Sequence, residues 1–124
     1  MLNDRQRLGQ KGETLAARFL KKLGYHIIVR NYRCRTGEID IIARDGTTLV
    51  FIEVKTRASL TFGTPAMAIT VKKQRQISRA AENYLAQNHL FDDSARFDVI
   101  SVFLPVGCKK NQIDHIKNAF DLCT

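Results

Sequence analysis

The segment Leu49-Val50-Phe51-Ile52-Glu53-Val54-Lys55 decides the fold of this chain. Its first four residues are apolar on both faces of an extended strand, which is typical of a central strand covered by helices. It lies within a run from Thr48 to Thr56, and a similar run from Glu38 to Arg44 precedes it across Asp45-Gly46. Because an Asp-Gly pair between two apolar runs favours a tight turn, the two runs predict an antiparallel hairpin in the core.

Helices and further strands are predicted on either side of this hairpin. Apolar residues recur at helical spacing from Gln6 to Leu23, which predicts a first helix that ends at Gly24. Thr70 is expected to cap a second long helix that runs to about Asn88, after a loop at Ala58 to Thr64 and a helical stretch opened by Pro65. The remaining predicted strands are Tyr25 to Asn31, Arg96 to Leu104 and Gln112 to Lys117. This order predicts an α/β domain, a mixed five-stranded sheet flanked by helices.

Length and composition indicate one globular domain over residues 1–124. Hydrophobic residues make up 44% and charged residues 26% of the chain, which excludes disordered and low-complexity classes. No apolar run approaches the roughly 18 residues that span a bilayer, so we expect a cytoplasmic protein without a membrane partner. Three scattered cysteines, Cys34, Cys108 and Cys123, are expected to be reduced. The 20 Lys and Arg against 12 Asp and Glu favour a polyanionic partner, with nucleic acid first.

The hairpin brings two carboxylates and a lysine together. If Asp45-Gly46 is the two-residue turn, Asp40 lies opposite Phe51 and diagonal to Glu53. If the turn is instead Gly46-Thr47, Asp40 lies directly opposite Glu53. Either alternative keeps both carboxylates on one face, and Lys55 lies on the face of Glu53 because side chains alternate along a strand.

Two neighbouring carboxylates next to a lysine suit metal-assisted phosphodiester hydrolysis. A carboxylate removed from water needs a partner, a proton or a metal, and Mg²⁺ prefers oxygen ligands. An adjacent ammonium group would stabilise phosphate charge or orient the attacking water. The alternative is a simple ion pair between Lys55 and Glu53 or Asp40 on an exposed strand face.

The hairpin residues also resemble the signature of a known protein family. Gly37-Glu38-Ile39-Asp40 followed by Phe51-Ile52-Glu53-Val54-Lys55-Thr56-Arg57 resembles the signature of the YraN family of predicted endonucleases. That family is similar to archaeal Holliday-junction resolvases within the PD-(D/E)XK, restriction-endonuclease-like superfamily, and Ile39 stands where the superfamily name implies Pro. Other segments resemble the family's further motifs in order: Gly12-Glu13, Asn31-Tyr32-Arg33, Arg96-Phe97-Asp98-Val99 and Asn118-Ala119-Phe120.

The resemblance implies a role for each matching residue. Asp40 and Glu53 would be ligands of Mg²⁺, with Mn²⁺ as an alternative, helped by the main-chain carbonyl of Val54. Lys55 would serve the attacking water or the scissile phosphate, and Glu13 would be the helix-borne acid that completes the site. Gly12, in the apolar stripe of the first helix, agrees with a close approach of that helix to the sheet.

Positive charge is expected to frame the acids and to contact DNA. The candidates are Arg33, Arg35 and Arg57 at strand ends, and Lys72, Arg75 and Arg79 on one face of the second long helix. The roles of Glu38 and Asp98 stay open, and for Asp98 the alternatives are an acid that supports the site and a salt-bridge partner of Arg96. The three histidines, including His115, lack metal-ligand spacing and are expected to be structural or exposed.

Three functions follow as hypotheses. The first is a Mg²⁺-dependent endodeoxyribonuclease that acts on structured or branched DNA, for which a two-fold homodimer would suit two symmetric cuts. The second is a nucleic-acid-binding module of the same fold without catalysis, and the third is a scaffold that recruits a protein partner. The intact set of acids and lysine favours the first, because a pure binding module gains nothing from acids that face an anion.

Overall fold

A computed structural model describes residues 1–59, 69–105, 107 and 110–123 of the chain. Within them the five strands form one sheet in the order β1-β2-β3-β4-β5, and only the β3–β4 pair is parallel. The elements are α1 (Asp4–Lys22), β1 (His26–Cys34), β2 (Gly37–Asp45), β3 (Thr48–Arg57), α2 (Val71–Gln87), β4 (Ala95–Phe103) and β5 (Gln112–Phe120). This confirms the predicted mixed five-stranded sheet, an α/β fold consistent with a restriction-endonuclease-like domain.

Some boundaries differ from the prediction, and some predictions fall outside the described residues. β1 continues through Arg33 and Cys34, which had the composition of a loop, and β5 continues past Lys117 to Phe120, because pairing with β2 and β4 holds both segments extended. The helical stretch predicted at Pro65, most of the loop before it and Cys108 lie outside the described residues.

Cys34 and Cys123 are free thiols, as expected. Neither described helix is long and apolar enough to cross a membrane.

Both helices begin at side-chain caps. The Asn3 side chain accepts from the backbone N–H of Gln6 at 2.8 Å, while the Gln6 side chain accepts from the N–H of Asn3 at 3.0 Å. This reciprocal pair satisfies two N–H groups that a helix start otherwise leaves without partners. Thr70 caps α2, as predicted, by accepting from the N–H of Lys73 at 3.1 Å.

The sheet is covered on both faces, and β3 is its central strand. Val50 and Ile52 pack in the cluster that includes α1, whereas Leu49 and Phe51 pack in the cluster that includes α2. All four are buried, which confirms the reading of this segment as a strand apolar on both faces. Because side chains alternate along a strand, Glu53 and Lys55 project to the α2 side.

The β2–β3 register decides between the two predicted turns. Paired residues run from Asp45 with Thr48 to Ile41 with Ile52, so the turn residues are Gly46 and Thr47. The alternative turn at Asp45-Gly46 is therefore wrong, because Asp45 is still paired within the ladder. Gly46 adopts a φ of 62°, in the left-handed region that a tight turn requires. Extended by one position, this register sets Asp40 opposite Glu53.

Strand β2 changes its alternation at Asp40. Ile39 packs in the α2-side cluster although Ile41, two residues further on, packs in the α1-side cluster. On the other edge of β2, Arg30 pairs with Ile41 and Tyr32 with Ile39, so Asn31 lies opposite Asp40. Asn31 itself has a φ of 56°, a left-handed conformation that is uncommon inside a strand. Asp40 thus lies at a local irregularity shared by two strands.

Helix α1 lies directly against β3 at Gly12. A Cβ atom added to this glycine would overlap the side chain of Thr56, with 2.6 Å to its methyl carbon. Gly12 is buried in the contact, in agreement with the close approach expected from the sequence. The adjacent residue, Glu13, is carried toward the sheet as a consequence.

Candidate active site

The carboxyl groups of Asp40 and Glu53 form a pair at the centre of the sheet. Oδ2 of Asp40 accepts a hydrogen bond of 2.8 Å from the backbone N–H of Val54. The N–H and C=O of one strand residue project to the same side, so the Val54 carbonyl also faces β2. Asp40 lies close enough to Glu53 for its negative charge to raise the pKa of the Glu53 carboxyl.

Glu53 is the more deeply buried acid of the pair, with only 10% of its side chain exposed. Burial first, and then the interaction with the Asp40 carboxyl, raise the pKa of Glu53 to about 9, while Lys73 acts in the opposite direction. Lys73 Nζ lies 3.5 Å from Glu53 Oε2, within ion-pair range but longer than an ordinary N–H···O bond. Among the described residues, this buried Oε2 has no hydrogen-bond partner.

Glu13 approaches Asp40 from helix α1 and therefore from the opposite layer. Its pKa is raised by burial and by the negative charge of Asp40, while nearby Arg30 and a hydrogen bond from the Asn31 side chain lower it. Oε1 of Glu13 is buried and finds no hydrogen-bond partner within the described part of the chain. Asp40 therefore has one acid on each side, Glu53 on β3 and Glu13 on α1.

A cavity of about 300 Å³ opens beside this pair on the α2 side. Glu53, Lys55 and Lys73 line it together with Ile69 and the capping residue Thr70. The first turn of α2 holds no acid but carries Lys72 and Lys73. Lysines are unfavourable at the positive end of a helix dipole, so this arrangement suits a bound anion that interacts with both the helix end and the ammonium groups.

The donor set at Asp40 and Glu53 fits a hard divalent cation. Two carboxylates and a backbone carbonyl are oxygen ligands, and Mg²⁺ is commonly held by one or two carboxylates plus substrate phosphate. A cation would neutralise the repulsion between the two acids and give the buried Oε2 of Glu53 a partner. Within the described ranges, no three His, Cys, Asp or Glu side chains gather as a complete metal cluster, so Glu13 would act at a greater distance.

Among the described residues, the lining of this cavity includes none of the six predicted DNA-contacting residues, and two of them line a neighbouring groove. Arg33 lies 3.4 Å from Glu38 in an exposed ion pair, which gives Glu38 a partner. Arg33 and Arg35 line a groove of about 390 Å³ that also includes Lys73, so Lys73 borders both this groove and the Glu53 cavity. Arg57 ends β3 with a buried Nε that has no hydrogen-bond partner among the described residues. On α2, Lys72, Arg75 and Arg79 are all exposed.

Asp98 belongs to a different cluster on the α1 side. Its buried carboxylate accepts from Arg96 Nε at 3.0 Å, from His115 Nε2 at 2.8 Å and from the N–H of Asn118 at 2.9 Å. Arg96 also donates to Asp45 at 3.0 Å. Burial opposes these contacts, but together they lower the pKa of Asp98. Asp98 is thus a salt-bridge partner of Arg96, and His115 has a structural role, as one of the alternatives proposed.

Lys73 is the residue at this site whose importance the sequence reasoning missed. The face of α2 that was predicted to contact DNA carries Lys72, Arg75 and Arg79, which are exposed. A signal for Lys73 was present, because Lys73 is four residues before buried Ile77 and seven before buried Ala80. Those spacings place a lysine on the stripe of α2 that faces the sheet.

Fold and site together define the class of this protein. The mixed five-stranded sheet with a helix on each face is an α/β fold consistent with a restriction-endonuclease-like domain, and its central hairpin carries the two acids and the lysine. The chain belongs to the uncharacterised protein family UPF0102, also called YraN, whose sequence pattern matches residues 12–102. This confirms the resemblance drawn from the hairpin motifs.

Relatives share nearly the full length of the chain. A UPF0102 protein of Geotalea daltonii is 56% identical over 120 residues, which cover 97% of this chain and 94% of the relative. One from Geobacter metallireducens is 55% identical and covers 93% of both chains. A third, from Nocardia farcinica, is 50% identical over 96% of this chain and 93% of its own length. Their names state the family and no activity, so an argument about function depends on the residues.

Proposed function

We propose that this protein is a Mg²⁺-dependent endonuclease that hydrolyses phosphodiester bonds in structured or branched DNA, with Mn²⁺ as an alternative cation. The observation that carries the proposal is Glu53, an acid beside Asp40 with only 10% of its side chain exposed, whose Oε2 atom has no hydrogen-bond partner among the described residues. A buried acid pair is costly for folding, and a cation would remove that cost. The net charge of +8 supports a polyanionic substrate.

Each residue of the site has a distinct task in this proposal. Asp40, Glu53 and the Val54 carbonyl would hold the cation, which supplies Lewis-acid stabilisation of phosphate charge when bound. Asp40 is already oriented by its hydrogen bond from the Val54 N–H. Lys55 would stabilise the charge that develops on the phosphate as water adds and the leaving oxygen departs. Glu13 would accept or hold a proton of the attacking water from the α1 side.

The basic residues around the cavity would position the DNA backbone. Arg33, Arg35 and Lys73 border one continuous groove, and Lys72 and Arg75 extend positive charge along α2. Such contacts supply affinity without sequence preference. The choice of branched DNA over plain duplex comes from the resemblance to Holliday-junction resolvases. A cytoplasmic location, where such DNA is accessible in bacteria, is part of the same proposal. A two-fold homodimer remains part of this proposal, since it would allow paired cuts.

Cleavage of a substrate panel tests the proposal. Duplex, four-way branched and single-stranded DNA would be incubated with Mg²⁺, with Mn²⁺ and with chelator, and products separated on denaturing gels. We expect metal-dependent cuts, strongest on branched DNA, and a loss of about 10²-fold or more in Lys55→Ala. Lys117→Ala, an exposed strand lysine on β5, is the matched control. DNA binding without cleavage under every metal condition would instead support the non-catalytic binding module.

A further inference from the structure

Lys73 occupies the position from which it can contact either an acid or a phosphate. Its Nζ lies 3.5 Å from the buried Oε2 of Glu53, and its own side chain is 36% exposed. The same lysine borders both the cavity of Glu53 and Lys55 and the groove of Arg33 and Arg35. Lys73 therefore lies between the two acids, Asp40 and Glu53, and the groove lined by Arg33 and Arg35.

A cation and the Lys73 ammonium group compete for the same oxygen. A divalent ion held by Asp40 and Glu53 would lie close to Oε2, where the ammonium now lies, and like charges at that distance repel strongly in a partly buried site. The ammonium would then leave Glu53. A DNA phosphate at the N-terminal end of α2, where Thr70 and Lys55 line the cavity, would then be an alternative anion for Lys73.

We infer that Lys73 passes from Glu53 to a phosphate of the DNA backbone when a divalent cation binds, so that cation and DNA strengthen each other's binding through this one side chain. The inference rests on the proposed function and adds a positioning residue and an order of events to it. Without a cation, Lys73 stays on Glu53 and contributes little to DNA affinity. With a cation, it becomes an additional phosphate contact. The coupling is reciprocal, because two ligands that influence each other's affinity do so by equal factors.

A cycle of variants and metal conditions measures this coupling. DNA affinity would be determined by fluorescence anisotropy with and without Mg²⁺, at constant ionic strength, in a Lys55→Ala background so that the DNA stays intact. We expect Mg²⁺ to raise the affinity of this parent about tenfold more than that of the same protein carrying Lys73→Met. In chelator, parent and Lys73→Met should bind alike. Lys72→Met, the exposed neighbour, should lower affinity equally with and without Mg²⁺.

Two further measurements keep the outcomes separate. Lys73→Gln repeats the test with a polar side chain in case Lys73→Met folds poorly, and thermal melts confirm that each variant is native. Mg²⁺ calorimetry on the DNA-free chain reports on the proposed metal site alone. If Mg²⁺ binds there but enhances DNA binding equally with and without Lys73, the inference is wrong and the proposed function stands. If no Mg²⁺ binding is detected with or without DNA, the proposed function fails and the inference with it.

Discussion

Oδ2 of Asp40 lies 2.8 Å from the backbone nitrogen of Val54 and accepts its hydrogen bond. An antiparallel ladder normally gives such an N–H to a backbone carbonyl of the neighbouring strand. Here a carboxylate takes that place: Asp40 is one residue from Ile41, and Val54 is two residues from Ile52, the partner of Ile41. The backbone therefore fixes the acid next to Glu53, and the acid needs an acceptor oxygen, but not a charge, to hold its place.

Asp40→Asn is expected to raise the thermal midpoint in chelator. Asparagine keeps an oxygen that accepts from the Val54 N–H, but it removes the negative charge that repels the carboxylates of Glu53 and Glu13. A gain of about 1 kcal/mol would raise the midpoint by roughly 3–6 °C in a chain of this size. Added Mg²⁺ should stabilise the wild type more than the variant, because the variant has lost a ligand.

Thermal melts of both proteins with chelator and with Mg²⁺ make the comparison. Asp40→Ala is the matched control, since it removes the charge and also leaves the Val54 N–H without its acceptor. It should be less stable than Asp40→Asn. Equal midpoints for wild type and Asp40→Asn under all conditions would count against a metal site built on this acid.

Stability in chelator should fall as pH rises above about 4.5. The pKa of Glu53 is raised from 4.5 to about 9 in the folded chain. Between these values the folded protein keeps a proton that the unfolded chain releases, so the stabilisation is complete below 4.5 and is lost as pH approaches 9. Glu53→Gln, which imitates the protonated acid, should flatten this dependence. Urea titrations at several pH values measure it, and an unchanged slope in Glu53→Gln would assign the dependence to other groups.

The proximity of Asp40 and Glu53 was predictable from strand parity, although β2 changes its alternation at Asp40. Both even turns keep Asp40 and Glu53 on one side, so the proximity of these two residues could be predicted before the turn was known. What the sequence could not supply was the exact turn, since Gly46 is compatible with either alternative. Only the tertiary pairing of Asp45 with Thr48 selects Gly46-Thr47.

Contacts between distant elements were harder to predict. The bond between Asp98 and His115 depends on the β4–β5 register, which shifts between Phe97 and Val99 and so cannot be counted from a turn. Lys73 reaches Glu53 only because α2 packs with its Ile77 face on the sheet. Such contacts arise from the packing of whole elements, and local patterns indicate only which residues are available for them.

Lys72→Ala combined with Arg75→Ala should weaken DNA binding for all sequences alike. Each side chain is exposed on α2, and a contact with a phosphate contributes a salt dependence of about 0.9 in the logarithmic slope. The double variant should therefore lower that slope by up to about 1.8. Lys21→Ala with Lys22→Ala, in the last turn of α1, removes the same charge elsewhere. An unchanged slope in the first pair would exclude this helix face from the DNA surface.

Gly12→Ala and Gly9→Ala should have opposite effects on stability. A Cβ at Gly9 meets no heavy atom within 4 Å, so alanine there should stabilise α1 by up to about 1 kcal/mol through helix propensity. A Cβ at Gly12 overlaps the Thr56 side chain and forces the helix away from β3, at a cost of about 1–3 kcal/mol. Because Glu13 moves with the helix, the Gly12 variant should also lose cleavage activity that the Gly9 variant retains.

Denaturant unfolding of both variants, and of Gly12→Ala combined with Thr56→Ala, completes this test. Thr56→Ala removes the hydroxyl and methyl groups nearest the added carbon and leaves its Cβ at 2.8 Å, so the double variant should recover part of the lost stability. Recovery of cleavage together with stability would show that Glu13 acts through its distance from the sheet. If Gly12→Ala stabilises the protein as Gly9→Ala does, helix α1 does not approach β3 closely, and Glu13 cannot reach Asp40 as described.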